Sequence, residues 1–428
     1  MNQPSQQSTP EGNNAAAGPA ENARLATPLF VGIQLLIVAG VLGLGYYLFA
    51  ESKAPLEMAP LLDEPVIVPP LYDRFRIVSD EQLVEALTKL QPRLGDHPAV
   101  SSVDHALRFW GIEATFADEK AWSGEKMRTF LVDNRVFQDR EEPVPLLLEA
   151  TEDDGVRYRT LQGPDSSSHV DHTLACLAEV GTPLGFLLNT DRGPMPLRAV
   201  LEQSMRDFSL NQVEYEWSAM ALALYANAPG HWTTSEGQQM DFNLIARRTM
   251  RQRLPQGVCQ GNHRLHTLVM LLRIDDDKRI LSTVTRNEII QYLSEVTREL
   301  VRKQHPTGYW GQNWPSAKDG AGEPADAGED SLDRQSWRLL VTGHVLEWWA
   351  LAPEEVLPPP NVIVNAGQWT YHAIIGLTEE ELMEHYGPLS HAGRALALWR
   401  KKWPHEVPLV TTPAGDSKPD ATPANSGQ

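Results

Sequence analysis

The sequence predicts an all-α protein: an α/α toroid, a barrel of helical hairpins, with a small β-hairpin insertion and one N-terminal transmembrane helix. Three observations lead there. From about His169 onward, short helical segments that are apolar all round alternate with amphipathic ones. A helix apolar on every side has to be buried, and these are too short to span a bilayer, so the alternation describes inner helices ringed by outer ones. Near the N-terminus, Leu29–Ala50 is an uncharged run of 22 residues. Finally, Leu146–Leu161 holds one strand–turn–strand pattern, with Asp153-Asp154-Gly155 as the tight turn between LLLEAT and VRYRTL.

Taken in order, residues 1–28 have almost no large apolar side chains and cannot offset the entropy of ordering, which predicts a disordered tail. Leu29–Ala50 matches the ~20 residues that a spanning helix needs. The tail before it, and the lack of a small-x-small cleavage site, set it apart from a signal peptide. Tyr46 and Tyr47 suit the interface end. A lipid bilayer is therefore the expected partner of a single-pass protein, with the globular domain expected on the extracytoplasmic side. Residues 51–70 are proline-rich and read as a stiff spacer.

The globular domain is expected over 71–403. Ser79–Leu90 carries an N-cap serine, acids in the first turn and one apolar face. A second helix covers about Val103–Trp110. After the hairpin come helices at His169–Glu179, Leu197–Phe208, Val213–Ala226, Phe242–Arg253, His263–Arg273, Arg286–Lys303, Leu332–Leu351, Glu379–His385 and His391–Lys401. His172, Ser218 and His263 stand at the start of apolar helical runs about 45 residues apart, a plausible pitch for one helix pair. Ser316–Ser331 reads as a surface loop, Pro353–Pro360 as a proline break, and 404–428 as a second disordered tail.

A chain of 428 residues can bury a large core. The net charge of −19 argues against a nucleic-acid partner, because phosphate binding needs clustered Lys and Arg. Cys176 and Cys259 are too few for a disulfide framework, and one bridge or two thiols both remain open.

The stretch Gly257–Asp277 concentrates the chemistry. His263 and His266 are three apart on one helix and can share a ligand. Cys259 stands just before them, where a helix N-terminus favours a thiolate, and His344 lies in a second apolar helix with Glu347 one turn on. Cys259, His263, His266, His344 and Glu347 form the candidate site. Cys259, His263 and His344 form a candidate zinc set, for three ligands of this kind leave a position for an activated water. His169 and His172 near Cys176 form a similar pair. Buried histidines bonded to loop carbonyls and a small buried thiol are the structural alternative.

Glu214, Glu216, Glu236 and Asp241 flank a loop and could work as paired carboxylates on a saccharide. Trp232, Trp310, Trp314, Trp348 and Trp349 could line a cavity or pack between helix layers. No phosphate-loop, nucleophile-elbow, HExxH or dinucleotide pattern occurs. Three functions follow: a binding or scaffold module that uses the toroid mouth on a protein or saccharide ligand, a zinc-assisted enzyme, and a carbohydrate-active enzyme. Fold alone does not choose among them.

The segment from Gln304 to Gly308 and Trp310 resembles the Q-x-x-x-G-x-W repeat of squalene–hopene cyclases and related prenyltransferase-type toroids. The resemblance implies that the Gln closes a helix end and that the Trp packs beneath the next helix. The C-x-G-x-H at Cys259–His263 and the TGHxLEWWA at Thr342–Ala350 are together similar to a group of membrane-anchored planctomycete proteins, which implies no particular activity. The D-x-D-D acid of the cyclases has no counterpart, since Asp275-Asp276-Asp277 follows Ile274 at the end of a helix and reads as a solvated turn. Protein prenyltransferases hold zinc with Asp, Cys and His, and lanthionine cyclases with two Cys and a His. Cys259 with a downstream His matches part of each set.

Overall fold

The computed structural model describes residues 22–51, 60–140, 143–318, 320, 322 and 332–410, without the side chains of 22–27, 29, 47–51 and 332. The chain divides into two units, Met1–Pro55 and Leu56–Gln428. The expected tail to residue 21, spacer residues 52–59, most of the loop within 316–331, and 411–428 lie outside the described residues.

Among the described residues the first unit contains one helix, α1 (Asn22–Glu51), with exposed apolar side chains such as Phe30, Leu36 and Leu42. Among the described residues no helix is long and apolar enough to cross a membrane.

In the second unit the spacer expectation is corrected. Residues 60–70 form an extended strap on the domain: the amides of Leu62 and Val66 donate to the carbonyls of Tyr225 and Leu224 at 2.8 and 2.7 Å. Leu184 donates to the carbonyl of Asp63 at 2.8 Å. Proline excludes helix here but leaves extended backbone free to bond between its rings. The domain therefore includes residues 60–70. At the other end Pro404–Glu406 forms a short 3-10 turn, Pro404 and Val407 are buried, and Nδ1 of His405 donates to the carbonyl of Trp110 at 3.0 Å. The domain thus runs on past Trp403, into residues where a disordered tail is expected.

The unit is mostly helical, and its helices alternate between half-buried and buried. α2 (Asp80–Lys89) leads to α3 (Val100–Trp110), and α4 (Gly124–Val132) with the one-turn α5 (Asn134–Phe137) leads to α6 (His172–Glu179). α7 (Leu197–Asp207) leads to α8 (Tyr215–Leu224), and α9 (Phe242–Arg251) to α10 (Asn262–Lys278). α11 (Thr283–Lys303) leads to α12 (Leu332–Leu351), and α13 (Pro360–Gly376) with the short α14 (Glu379–Glu384) to α15 (Tyr386–Leu398). The second member of each pair is buried along most of its length; every residue of α8 is. These six pack in closed order: α3 on α6, α6 on α8, α8 on α10, α10 on α12, α12 on α15, and α15 back on α3.

Local chemistry explains the boundaries. Ser79 and Gln82 form a capping box at α2, and Asp241 and Ser282 cap α9 and α11. The expected proline break ends in a helix start, because Pro360 occupies the first turn of α13, where its missing N–H costs nothing. α10 runs to Lys278, past the expected end, since buried Asp275 accepts from the amide of Leu281 at 2.7 Å and pairs with Arg286 at 3.1 Å. That aspartate is a helix clamp, which corrects the solvated-turn reading. Gln304 closes α11 onto α13, donating to the carbonyls of Gly308 at 2.9 Å and Val362 at 2.8 Å. Gly308 is left-handed at φ 119, and a Cβ there would meet the carbonyl oxygen of Asn365 at 2.3 Å, so only glycine fits. Trp310 is buried against Trp349 and donates to the carbonyl of Leu300 at 2.9 Å.

The expected hairpin is present, β1 (Leu148–Ala150) antiparallel to β2 (Val156–Tyr158) with Ala150 opposite Val156. Two further hairpins were not legible: β3 (Leu187–Thr190) with β4 (Gly193–Pro196), and β5 (Trp232–Thr233) with β6 (Gln239–Met240). Both are short, and Pro194 and Pro196 mask the first, since proline normally argues against a strand.

Candidate functional site among the buried helices

The turns before three buried helices are bent into the left-handed region: Asp171 (φ 56) before α6, Glu214 (φ 61) before α8, and Cys259, Gln260 and Gly261 (φ 47, 59 and 78) before α10. Such a backbone costs a non-glycine residue about 1–2 kcal/mol. It persists because the side chains it presents are tied down. Asp171 accepts from the hydroxyls of Ser204 and Ser218 at 2.6 and 2.5 Å. Glu214 accepts from Nδ1 of His169 at 2.5 Å and from Nδ1 of His263 at 3.1 Å, which couples α8 to α10. At Gly261 a Cβ would lie 2.7 Å from the side chain of Leu254 and 2.9 Å from its backbone.

Inside this rim six imidazoles form a closed circle. His105 of α3 neighbours His391 of α15 at 5.2 Å between ring centres, and His391 neighbours His344 of α12 at 3.7 Å. The circle continues from His344 to His263 at 5.1 Å, to His169 at 5.3 Å, to His172 of α6 at 5.5 Å, and back to His105 at 4.9 Å. Trp217 of α8 packs edge-on against His172 and His263. His105 and His169 are half-buried and the other four buried.

Five of these rings are held at Nδ1 by oxygen. His105 bonds the carbonyl of Ser101 at 2.6 Å, His169 and His263 bond Glu214, His391 bonds Glu347 at 2.9 Å, and His172 bonds Asp104 at 3.3 Å. Carbonyls and carboxylates only accept, so Nδ1 carries the proton and Nε2 keeps its lone pair. Nε2 of His344 is buried with no hydrogen-bond partner. Burial pulls His263 down to about 4 against the opposing pull of Glu214, and it holds His105, His172 and His344 well below their ordinary value. Burial works to raise Glu214, but its two imidazole donors outweigh that and bring it to about 2.

One helical turn further along these helices lies a buried charge network. Arg108 contacts Glu179 at 2.5 Å and Glu347 at 2.7 Å, while Arg394 contacts Glu179 at 3.0 Å and also bonds Glu347. Burial would raise both carboxyls, but the two guanidinium groups hold them well below the usual range. His266 belongs to this layer, with Nε2 3.0 Å from Nη2 of Arg108.

All five residues of the expected site converge here. Cys259, His263 and His344 place one ligand atom each within 4.8 Å of one another, and so do three further sets: His169, Glu214 and His263; His344, Glu347 and His391; and Asp104, His172 and Cys176. His266 falls outside these sets, so the expectation that it shares a ligand with His263 is not met. Both cysteines are free thiols, Cys176 buried and Cys259 half-buried. Burial pushes the Cys259 thiol up to about 12, with Glu214 adding to the effect.

The expected carboxylate pair does not form. Glu216 is bound by Arg264 at 2.6 Å, Asp241 caps α9, and Glu236 is exposed. The sequence reading missed Asp104, His105, Arg108, Glu179, His391 and Arg394. A usable signal was present: His-x-x-Arg at His105 and His391, His-x-x-His at His263 and His-x-x-Glu at His344 each sit inside an apolar helix. A histidine with a second polar residue one turn on, recurring on the apolar helices, marks side chains that share one buried face. Comparison with protein families, with curated proteins and with solved structures finds no match for the chain.

Proposed function

We propose that the protein is a membrane-anchored α/α toroid whose lumen binds a divalent transition metal, zinc foremost, at Cys259, His263 and His344, and that it is a metal-assisted enzyme. The observation that carries this is the histidine circle, in which five rings, His263 among them, are held at Nδ1 by oxygen so that Nε2 carries the lone pair. Metal-binding imidazoles are oriented in this way, by a carboxylate or carbonyl on the other nitrogen. The partnerless Nε2 of His344 adds to it, because a buried polar atom seldom goes unsatisfied. A zinc ion on three protein ligands keeps a fourth position open and lowers the pKa of a bound water to ~7. The half-buried Cys259, His105 and His169 supply the approach to that position, and His391, which neighbours His344, can pass on a proton.

We place this ahead of a purely binding or scaffold role because bringing six histidines together inside a core serves no packing need that leucine would not meet. Metal-stripped protein should take up zinc at neutral pH under reducing conditions. At zinc ~100 times the dissociation constant, its stability should rise by about 2.7 kcal/mol. Cys259→Ala and His344→Ala should each remove that ion. Stoichiometric absence of zinc in the wild-type chain overturns the reading.

The anchor is carried by the uncharged sequence between Arg24 and Glu51, all of it within α1. Full-length protein should stay with the membrane pellet through an alkaline carbonate wash, and the chain lacking 29–50 should be released. Release of both removes the anchor from the proposal.

A further inference from the structure

We propose that the lumen holds a second metal ion, at Asp104, His172 and Cys176, which makes it a two-metal centre. The inference rests on the lumen being a metal centre, but none of its three ligands belongs to the Cys259 set. Asp104 comes from α3. His172 and Cys176 stand four apart on α6 and therefore on one helix face. All three are completely buried.

Two observations point to a cation. Oδ1 of Asp104 is buried with no hydrogen-bond partner, while Oδ2 accepts from Thr173 at 2.9 Å, from Nδ1 of His172 at 3.3 Å and from Ser167 at 3.4 Å, which leaves Nε2 of His172 as its ligand atom. A carboxyl group sealed from water with one oxygen idle is what an ion would complete. Second, Sγ of Cys176 lies 3.7 Å from Nε2 of His172. Two tetrahedral ligands at ~2.3 and ~2.05 Å from one zinc ion stand about 3.6 Å apart, so the pair is already spaced to hold it.

The same three residue types could form a nucleophilic triad, but burial argues against it. Reactive cysteines sit in partly exposed, electropositive surroundings, and Cys176 has no exposed surface. The mixed sulfur, nitrogen and oxygen donors suit zinc or another late first-row ion rather than magnesium or calcium. His169 stands between the two ligand sets, 5.5 Å from His172 and 5.3 Å from His263 between ring centres.

The test is the zinc-to-protein ratio of the metal-stripped full chain after equilibration with zinc, together with the thiolate-to-cobalt absorption after equilibration with cobalt. The expected ratio is two, falling to one in Cys176→Ala, Asp104→Asn and Cys259→Ala alike. The cobalt band should halve in each cysteine variant and vanish in the double variant. A wild-type ratio of one that survives Cys176→Ala and is lost in Cys259→Ala overturns the second site and leaves the first standing. A ratio of one with the opposite pattern overturns the Cys259 site and the two-metal centre together. No zinc at all overturns both. Should Cys176→Ala lose its helical circular dichroism, Asp104→Asn, which keeps the shape of the side chain, carries the test.

Discussion

Replacing Arg108 with methionine should lower the unfolding free energy by about 3–5 kcal/mol, read from urea denaturation of metal-stripped protein. The methionine fills most of the volume but leaves Glu179 and Glu347, both buried, with Arg394 as their one remaining guanidinium. Removing one partner of a buried pair is expensive because the other charge stays desolvated, whereas removing both together is cheap. The double variant Arg108→Met with Glu179→Gln should therefore recover a substantial part of the loss. A single variant that loses under ~1 kcal/mol would mean that water reaches these carboxylates, and that the charge network does not lie in a dry core.

Metal-free protein should also lose stability steeply on mild acidification, before ordinary carboxylates titrate. In the folded chain His263 titrates at about 4, against 6.5 for a free imidazole. For a base held neutral by burial, protons bind the unfolded chain first. The stability is complete above about 6.5 and is lost as the pH falls from there through about 4. At ~1.4 kcal/mol per pKa unit, this group alone contributes on the order of 3 kcal/mol. His105, His172, His344 and His391 are shifted the same way by burial, so the effect should be steeper than one proton per molecule. Glu214, brought to about 2, extends the loss to lower pH, because its contribution is present above about 4.5 and declines from there. Denaturation midpoints measured between pH 7 and pH 4 check this, and a flat profile over that interval contradicts it. Bound zinc should oppose the loss until its ligands protonate.

The sequence showed the helical core more clearly than the site. The runs at Trp217–Tyr225 and His263–Leu272 are apolar all round, and burial of such helices follows from that alone. It showed less where meaning depends on a distant partner. Pro60–Pro70 reads as a linker because its bonding partners, Leu224 and Tyr225, are more than 150 residues away. His105 and His391 look like isolated histidines in their own helices; they become neighbours only when α15 packs on α3. Cys259, His263 and His344 were found because Gly261 and the flanking pattern marked an unusual helix approach. Arg108 and Arg394 escaped because a single arginine in an apolar helix ordinarily snorkels to the surface.

The closed order of the buried helices has a consequence for how the chain acquires its centre. The last helix of the ring seals against the first, and the hydroxyl of Tyr386 bonds the carbonyl of Leu90 across 296 residues. Contacts of that separation form late and slowly, because the intervening loop must close before they return anything. During synthesis from the N-terminus, His105 and Arg108 leave the ribosome long before His391 and Arg394 exist to meet them. Until then the nascent protein exposes polar side chains along helices meant for a core, and any metal that it meets finds a partial ligand set. The centre therefore matures only after α15 has been made, and a truncation just before α15 takes away His391 and Arg394 and leaves the helix order open between α12 and α3.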